Sequence, residues 1–156
     1  MGDARDLHYL HLQPGQALPA VPRPQPCRVV VVIEADVSAD WRSAVSDWIV
    51  ASGCLYMMAW GIECGAWDDS VDWSTIPASK LQTGDDALVM TTWHEHESLQ
   101  EAFFYCEFNA GLSSDGVTLD HKLILHVADT ADESRMRSEY AAMLAASAAQ
   151  DRLPHR

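Results

Sequence analysis

The chain has 156 residues, 48% of them hydrophobic and 21% charged, with 8 Gly, 7 Pro, 4 Cys and 6 Trp, a composition that fits one globular domain and excludes a second. A formal charge of −13 argues against direct nucleic-acid or anionic-membrane binding, both of which depend on clustered Lys and Arg. The apolar runs are too short to span a bilayer, and the opening Met1-Gly2-Asp3-Ala4-Arg5-Asp6 lacks the basic-then-apolar plan of a signal peptide, so a cytoplasmic location is expected.

His8–Leu12 reads as a short edge strand. Pro14, Pro19, Pro22, Pro24 and Pro26 follow, and a stretch so rich in proline can continue neither a helix nor a central strand. Residues 1–26 are therefore expected to be an N-terminal segment with an extended connector, 27–147 a single α/β domain, and 148–156 a frayed tail. Arg28–Glu34 is a continuous β-branched run, the mark of a strand covered on both faces. Ser38 can cap the next helix, in which Trp41, Ala44, Val45, Trp48 and Ile49 recur at helical spacing and which Gly53 terminates.

Cys54–Trp60 is a second buried strand and Ala87–Trp93 a third. The roughly twenty-five residues between them show helical periodicity only over Trp67–Trp73, where a short helix would lay Trp67, Val71 and Trp73 on the sheet. Ser98 and Glu101 form a capping box for a helix presenting Leu99, Ala102, Phe103, Cys106 and Ala110 to the core. Leu119–Val127 supplies a fourth strand, and Thr130 with Glu133 a box for a last helix with Met136, Tyr140, Met143 and Leu144 inward. This alternation predicts a three-layer α/β fold: a mostly parallel four-stranded sheet, helices on both faces, and an extra N-terminal edge strand. Val29–Ile33 should be central, flanked by Leu55–Ala59 and Leu88–Thr92, or by one of these and Leu123–Val127.

Between Glu34 and Asp120 sixteen acids face two bases, Arg42 and Lys80. Such a field attracts basic partners and metal cations and repels phosphates unless a cation intervenes. Open parallel sheets bind ligands beyond the carboxyl ends of their strands. Those ends carry Glu34 and Asp36, then Trp60, Glu63, Cys64, Trp67, Asp68 and Asp69, then Trp93 with His94-Glu95-His96-Glu97, then His126 and Asp129.

Two functions follow. In the first, the protein is an acidic, non-enzymatic, immunity- or inhibitor-like module without a cofactor. It captures a basic protein partner through Trp67, Asp68, Asp69, Asp72, Trp73, His94, Glu95, His96 and Glu97, the aromatics anchoring and the acids steering. In the second, Glu34, Asp68, Asp69, His94 and His96 hold a divalent metal that activates water for hydrolysis, with Glu95 or Glu34 as general base. Cys64 is expected to be a passive thiol, because its acidic neighbours disfavour the thiolate. Gly61-x-x-x-Gly65 matches no nucleotide motif, and no Lys or Arg stands near it in sequence to meet a phosphate.

An acid after the first strand and an acidic run after the third resemble the outline of Toprim-type magnesium nucleases. Ala35 stands where that pattern has Gly, and His94-Glu95-His96-Glu97 where it has two spaced Asp. Ser52–Gly61, Trp67–Trp73 and Thr91–Glu97 together resemble an uncharacterised family of small stand-alone bacterial proteins, over about His8 to Tyr140. That resemblance implies a single domain and carries over no functional residue.

Overall fold

The structure, a computed structural model, describes residues 6–81, 89–111 and 119–151. Its elements in chain order are β1 (Leu7–Leu12), β2 (Cys27–Ile33), α1 (Ala39–Ala51), β3 (Cys54–Gly61), α2 (Cys64–Leu81), β4 (Met90–Trp93), α3 (Leu99–Phe108), β5 (His121–Val127) and α4 (Glu133–Asp151). The five strands form one sheet in the order β1-β5-β2-β3-β4, and every neighbouring pair is parallel.

β2 is central because Val29–Ile33 is apolar on both faces, and all seven of its residues are buried, Arg28 among them with its guanidinium donating to the Cys106 carbonyl. Val29, Val31 and Ile33 pack with Val45, Trp48 and Ile49 of α1 and Trp67 and Val71 of α2. Val30 and Val32 pack with Leu99 and Phe103 of α3 and Met136 and Tyr140 of α4. The three layers are thus set by the period-two alternation of a single strand. Its neighbours are β3 and β5, the second of the two flanking arrangements expected. β1 extends the sheet as an edge strand beside β5, from Leu7 opposite Lys122 to Leu12 opposite Val127.

Local chemistry explains most boundaries. Ser38 caps α1 by accepting the Trp41 N–H, and the Ser98–Glu101 box closes α3 in both directions. For α4 the cap is Asp132, whose Oδ1 accepts the Arg135 N–H at 3.2 Å, in place of the expected Thr130. α4 also runs to Asp151, past the point where fraying was expected. The proline-rich connector crosses the α1 face, pinned by two indoles: Trp41 Nε1 donates to the Gln16 carbonyl and Trp48 Nε1 to the Pro19 carbonyl, each at 3.0 Å. Gly61 has φ +110°, and a Cβ there would lie 2.1 Å from the Ile33 carbonyl oxygen. Only glycine lets β3 end so close to β2.

The largest departure from expectation is α2, a continuous helix of 18 residues with Pro77 inside it. Cys64, Trp67, Val71 and Thr75 recur at helical spacing and form its buried stripe, while the acids between them and Pro77 mask that pattern in the sequence. Ala87 and Leu88, expected to open the third strand, lie outside the described residues. Among the described residues no helix is long and apolar enough to cross a membrane.

Candidate functional site

At the carboxyl edge, β2 leads into α1 on one face of the sheet while β5 leads into α4 on the other, so the crevice between their ends is a topological switch point. Val30, Val32 and Glu34 share the α3/α4 side of β2, and His126 lies opposite Val32 in register. Glu34 and His126 therefore meet, with Nε2 to Oε1 at 2.7 Å. His126 Nδ1 is 2.7 Å from the Tyr9 hydroxyl, which also accepts the Asp132 N–H at 3.0 Å. Arg135 of α4 donates to Glu34 and, at 3.2 Å, to Asp132 Oδ2. Burial raises the Glu34 carboxyl pKa, but the hydrogen bonds and charges of Arg135 and His126 outweigh it and hold the group below the usual value of 4.5. Every member of this network is satisfied by another member.

The acids of α2 are arranged differently. Asp68 and Asp72 are four residues apart and Asp69 and Asp72 three apart, which stacks them along the helix. One carboxylate oxygen from each of Asp68, Asp69 and Asp72 lies within 4.8 Å of the others. Asp69 and Asp72 are exposed, whereas Asp68 is only 5% exposed. Its Oδ1 is buried with no hydrogen-bond partner among the described residues. The Thr91 hydroxyl of β4 donates to Asp72 Oδ1 at 2.7 Å. The Asp68 pKa is raised, by burial first and further by the charges of Asp72 and Asp69; the nearby Thr91 hydroxyl, whose proton goes to Asp72, offsets this only in part. Three carboxylates with one desolvated oxygen could hold a hard divalent cation, which prefers oxygen donors.

The five residues expected to share a metal are therefore divided. Glu34 is engaged with His126 and Arg135. His94 is buried on the α3 side: Nδ1 is 2.5 Å from Glu97 Oε2, Nε2 is 2.9 Å from Thr92 Oγ1, and the ring packs edge-on to Tyr105. With both nitrogens engaged, it has no lone pair to give a metal. His96 has φ +65° and points to solvent beside Glu95, its side chain 90% exposed. Only Asp68 and Asp69 of that set come together, joined by Asp72.

The partner-binding set is divided as well. Trp67 is fully buried in the core, and Asp68 and His94 are buried too, so none of the three can meet a partner. Asp69, Asp72, Trp73, Glu95 and His96 are exposed, as is much of the Glu97 side chain. The four cysteines are buried and free, Cys64 among them.

A family model, a domain of unknown function (DUF7684), matches residues 7–143. The chain belongs to that family. The matched span contains β1 through β5 and most of α4, so the edge strand and the α2 carboxylates are part of the DUF7684 domain. The family carries no established activity. No curated protein and no solved structure matches the chain.

Two features escaped the sequence. The Tyr9–His126–Glu34–Arg135 network joins four separate elements, and only the parity of Glu34 with Val32 hinted at its face. Arg42, one of the two bases of the acidic segment, reaches Glu63 of the β3–α2 turn at 3.5 Å and so stands beside the start of α2, a placement that spacing in the sequence does not show.

Proposed function

We propose that the protein is a divalent-cation-dependent hydrolase whose cation is held by Asp68, Asp69 and Asp72. The observation that carries this reading is the buried Oδ1 of Asp68, without a hydrogen-bond partner among the described residues, within a group of three carboxylates. A buried carboxylate oxygen without a partner is costly, and a cation relieves that cost together with the repulsion among the three acids. A cation held by these three residues would supply activation of water, and the carboxylate oxygen of Asp69 or Asp72 not engaged in holding it, both residues being exposed, would be the nearest proton acceptor. Glu34 and Glu95 are not used as the base in this arrangement, since Glu34 is held by Arg135 and His126 and Glu95 faces solvent beside His96.

Isothermal titration of chelator-treated protein with Mg²⁺, Mn²⁺ and Ca²⁺ tests the reading. One equivalent bound to wild type and none to Asp68→Asn supports it. Equal binding by both proteins, or none by either, removes it.

A second reading rests on a different observation. Trp73 is 71% and Trp93 53% exposed, and exposed indoles among acids suit the capture of a basic protein partner. Pull-down from the native host at low and high salt tests this. A stoichiometric basic partner lost at high salt supports it, and no partner at either salt counts against it.

A further inference from the structure

Between α1 and α2 runs an open surface groove of about 360 Å³, a volume in the range of small-molecule sites. Ala39, Arg42 and Ser43 line it from α1, at i, i+3 and i+4, and Asp69, Ser70 and Trp73 from α2. We propose that this groove binds a nucleoside phosphate in company with the divalent cation; the inference rests on the cation reading of Asp68, Asp69 and Asp72.

Three observations carry the assignment. Asp69 belongs to both places, a member of the carboxylate group and a wall of the groove, so a cation held there can bridge to a phosphate oxygen. Arg42 is one of two bases between Glu34 and Asp120, and it lines this groove in the first turn of α1. Its described ion pair, with Glu63, is long at 3.5 Å, and a phosphate offers the guanidinium a shorter bidentate contact. Trp73 exposes 71% of its surface at the groove wall, a stacking platform of the kind that holds bases of any identity.

The two walls are tied together through the buried Ser46, whose hydroxyl donates to the Arg42 carbonyl at 2.8 Å and meets the Ser70 hydroxyl at 2.7 Å. The acidic field that would repel a free phosphate is reversed locally by the cation and Arg42. A single groove with one base and one aromatic accommodates a mononucleotide and gives no path for a polynucleotide backbone.

The test is titration of wild type with ADP, adenosine and inorganic phosphate, each with and without Mg²⁺, followed by calorimetry and by the Trp fluorescence lost in Trp73→Phe. ADP should bind at least tenfold more tightly with Mg²⁺ than without, and more tightly than adenosine or phosphate alone. Trp73→Ala and Arg42→Ala should each weaken ADP binding about tenfold or more while retaining Mg²⁺ binding; Arg42→Lys should recover part of it. Mg²⁺ binding without an ADP response overturns the groove assignment and leaves the cation reading standing. Absence of both overturns both, and ADP binding indifferent to Mg²⁺ overturns the bridge through Asp69.

Discussion

Glu34 and Asp68 are carboxylates of the same acidic segment, both largely withdrawn from solvent, and their pKa values move in opposite directions. Both feel burial as the largest influence. For Glu34 it is outweighed by Arg135 and His126, which belong to the network spanning β1, β5 and α4. For Asp68 it is reinforced by Asp69 and Asp72 and opposed only by Thr91. The first acid is a structural element that ties four pieces of chain together at the switch point. The second is left in conflict with its surroundings, and the proposed cation site rests on that conflict.

The comparison can be pushed to its limit by placing an acid where there is neither partner nor solvent. Val31 is wholly inaccessible, and Val31→Asp is expected to cost several kcal/mol, on the order of burying an unpaired carboxylate, leaving the protein unfolded or insoluble. Thermal denaturation measures it, and a melting temperature like wild type would mean that β2 does not occupy the centre of the sheet. Next in size, His126→Ala removes a buried ring with two hydrogen bonds and is expected to destabilise by about 2–4 kcal/mol, read by urea denaturation.

The two acids also differ in sign with pH. The Glu34 pKa is depressed in the fold, so its contribution is present above the ordinary carboxylate range and lost as pH falls through the depressed value. Glu34→Gln should therefore flatten the acid limb of the stability curve. The Asp68 pKa is raised, so the cation-free fold gains from its protonation at low pH and loses that gain as pH rises through the raised value. Asp68→Asn should accordingly stabilise the cation-free protein at neutral pH, by about 0.5–2 kcal/mol. The smallest effect belongs to His96→Asp, within about 0.5 kcal/mol of wild type. That side chain is in solvent, and Asp tolerates the left-handed backbone His96 adopts.

The sequence made the sheet legible because β2, β3 and β5 are largely apolar runs that need cover on both faces, although it left open which two strands flank β2, and Ser38 and the Ser98–Glu101 pair announced two helix starts. It concealed the length of α2, since the buried stripe of Cys64, Trp67, Val71 and Thr75 is interrupted by acids and followed by Pro77, a residue that ordinarily breaks a helix. The candidate site was legible only in part, for a related reason. Asp68 and Asp69 were found by counting from a strand end, but His94 and His96 were assigned to the same site by proximity to a neighbouring strand end. The turn after β4 sends His94 to the α3 face and His96 into solvent, away from the carboxylates. Which face a loop side chain takes depends on the tight turn at His96, a feature that residue type alone does not specify.

The central claim is that the conflict at Asp68 exists to be relieved by a cation, and the most direct measurement is the melting temperature of chelator-treated protein with and without millimolar Mg²⁺ or Mn²⁺, for wild type and Asp68→Asn. At a cation concentration about a hundredfold above Kd, linkage gives roughly 2.7 kcal/mol of stabilisation, or a rise of about 5–10 °C for a domain of this size. The account predicts that rise in wild type and its absence in Asp68→Asn, with the variant melting above the cation-free wild type. Identical melting of wild type with and without the cations would contradict it.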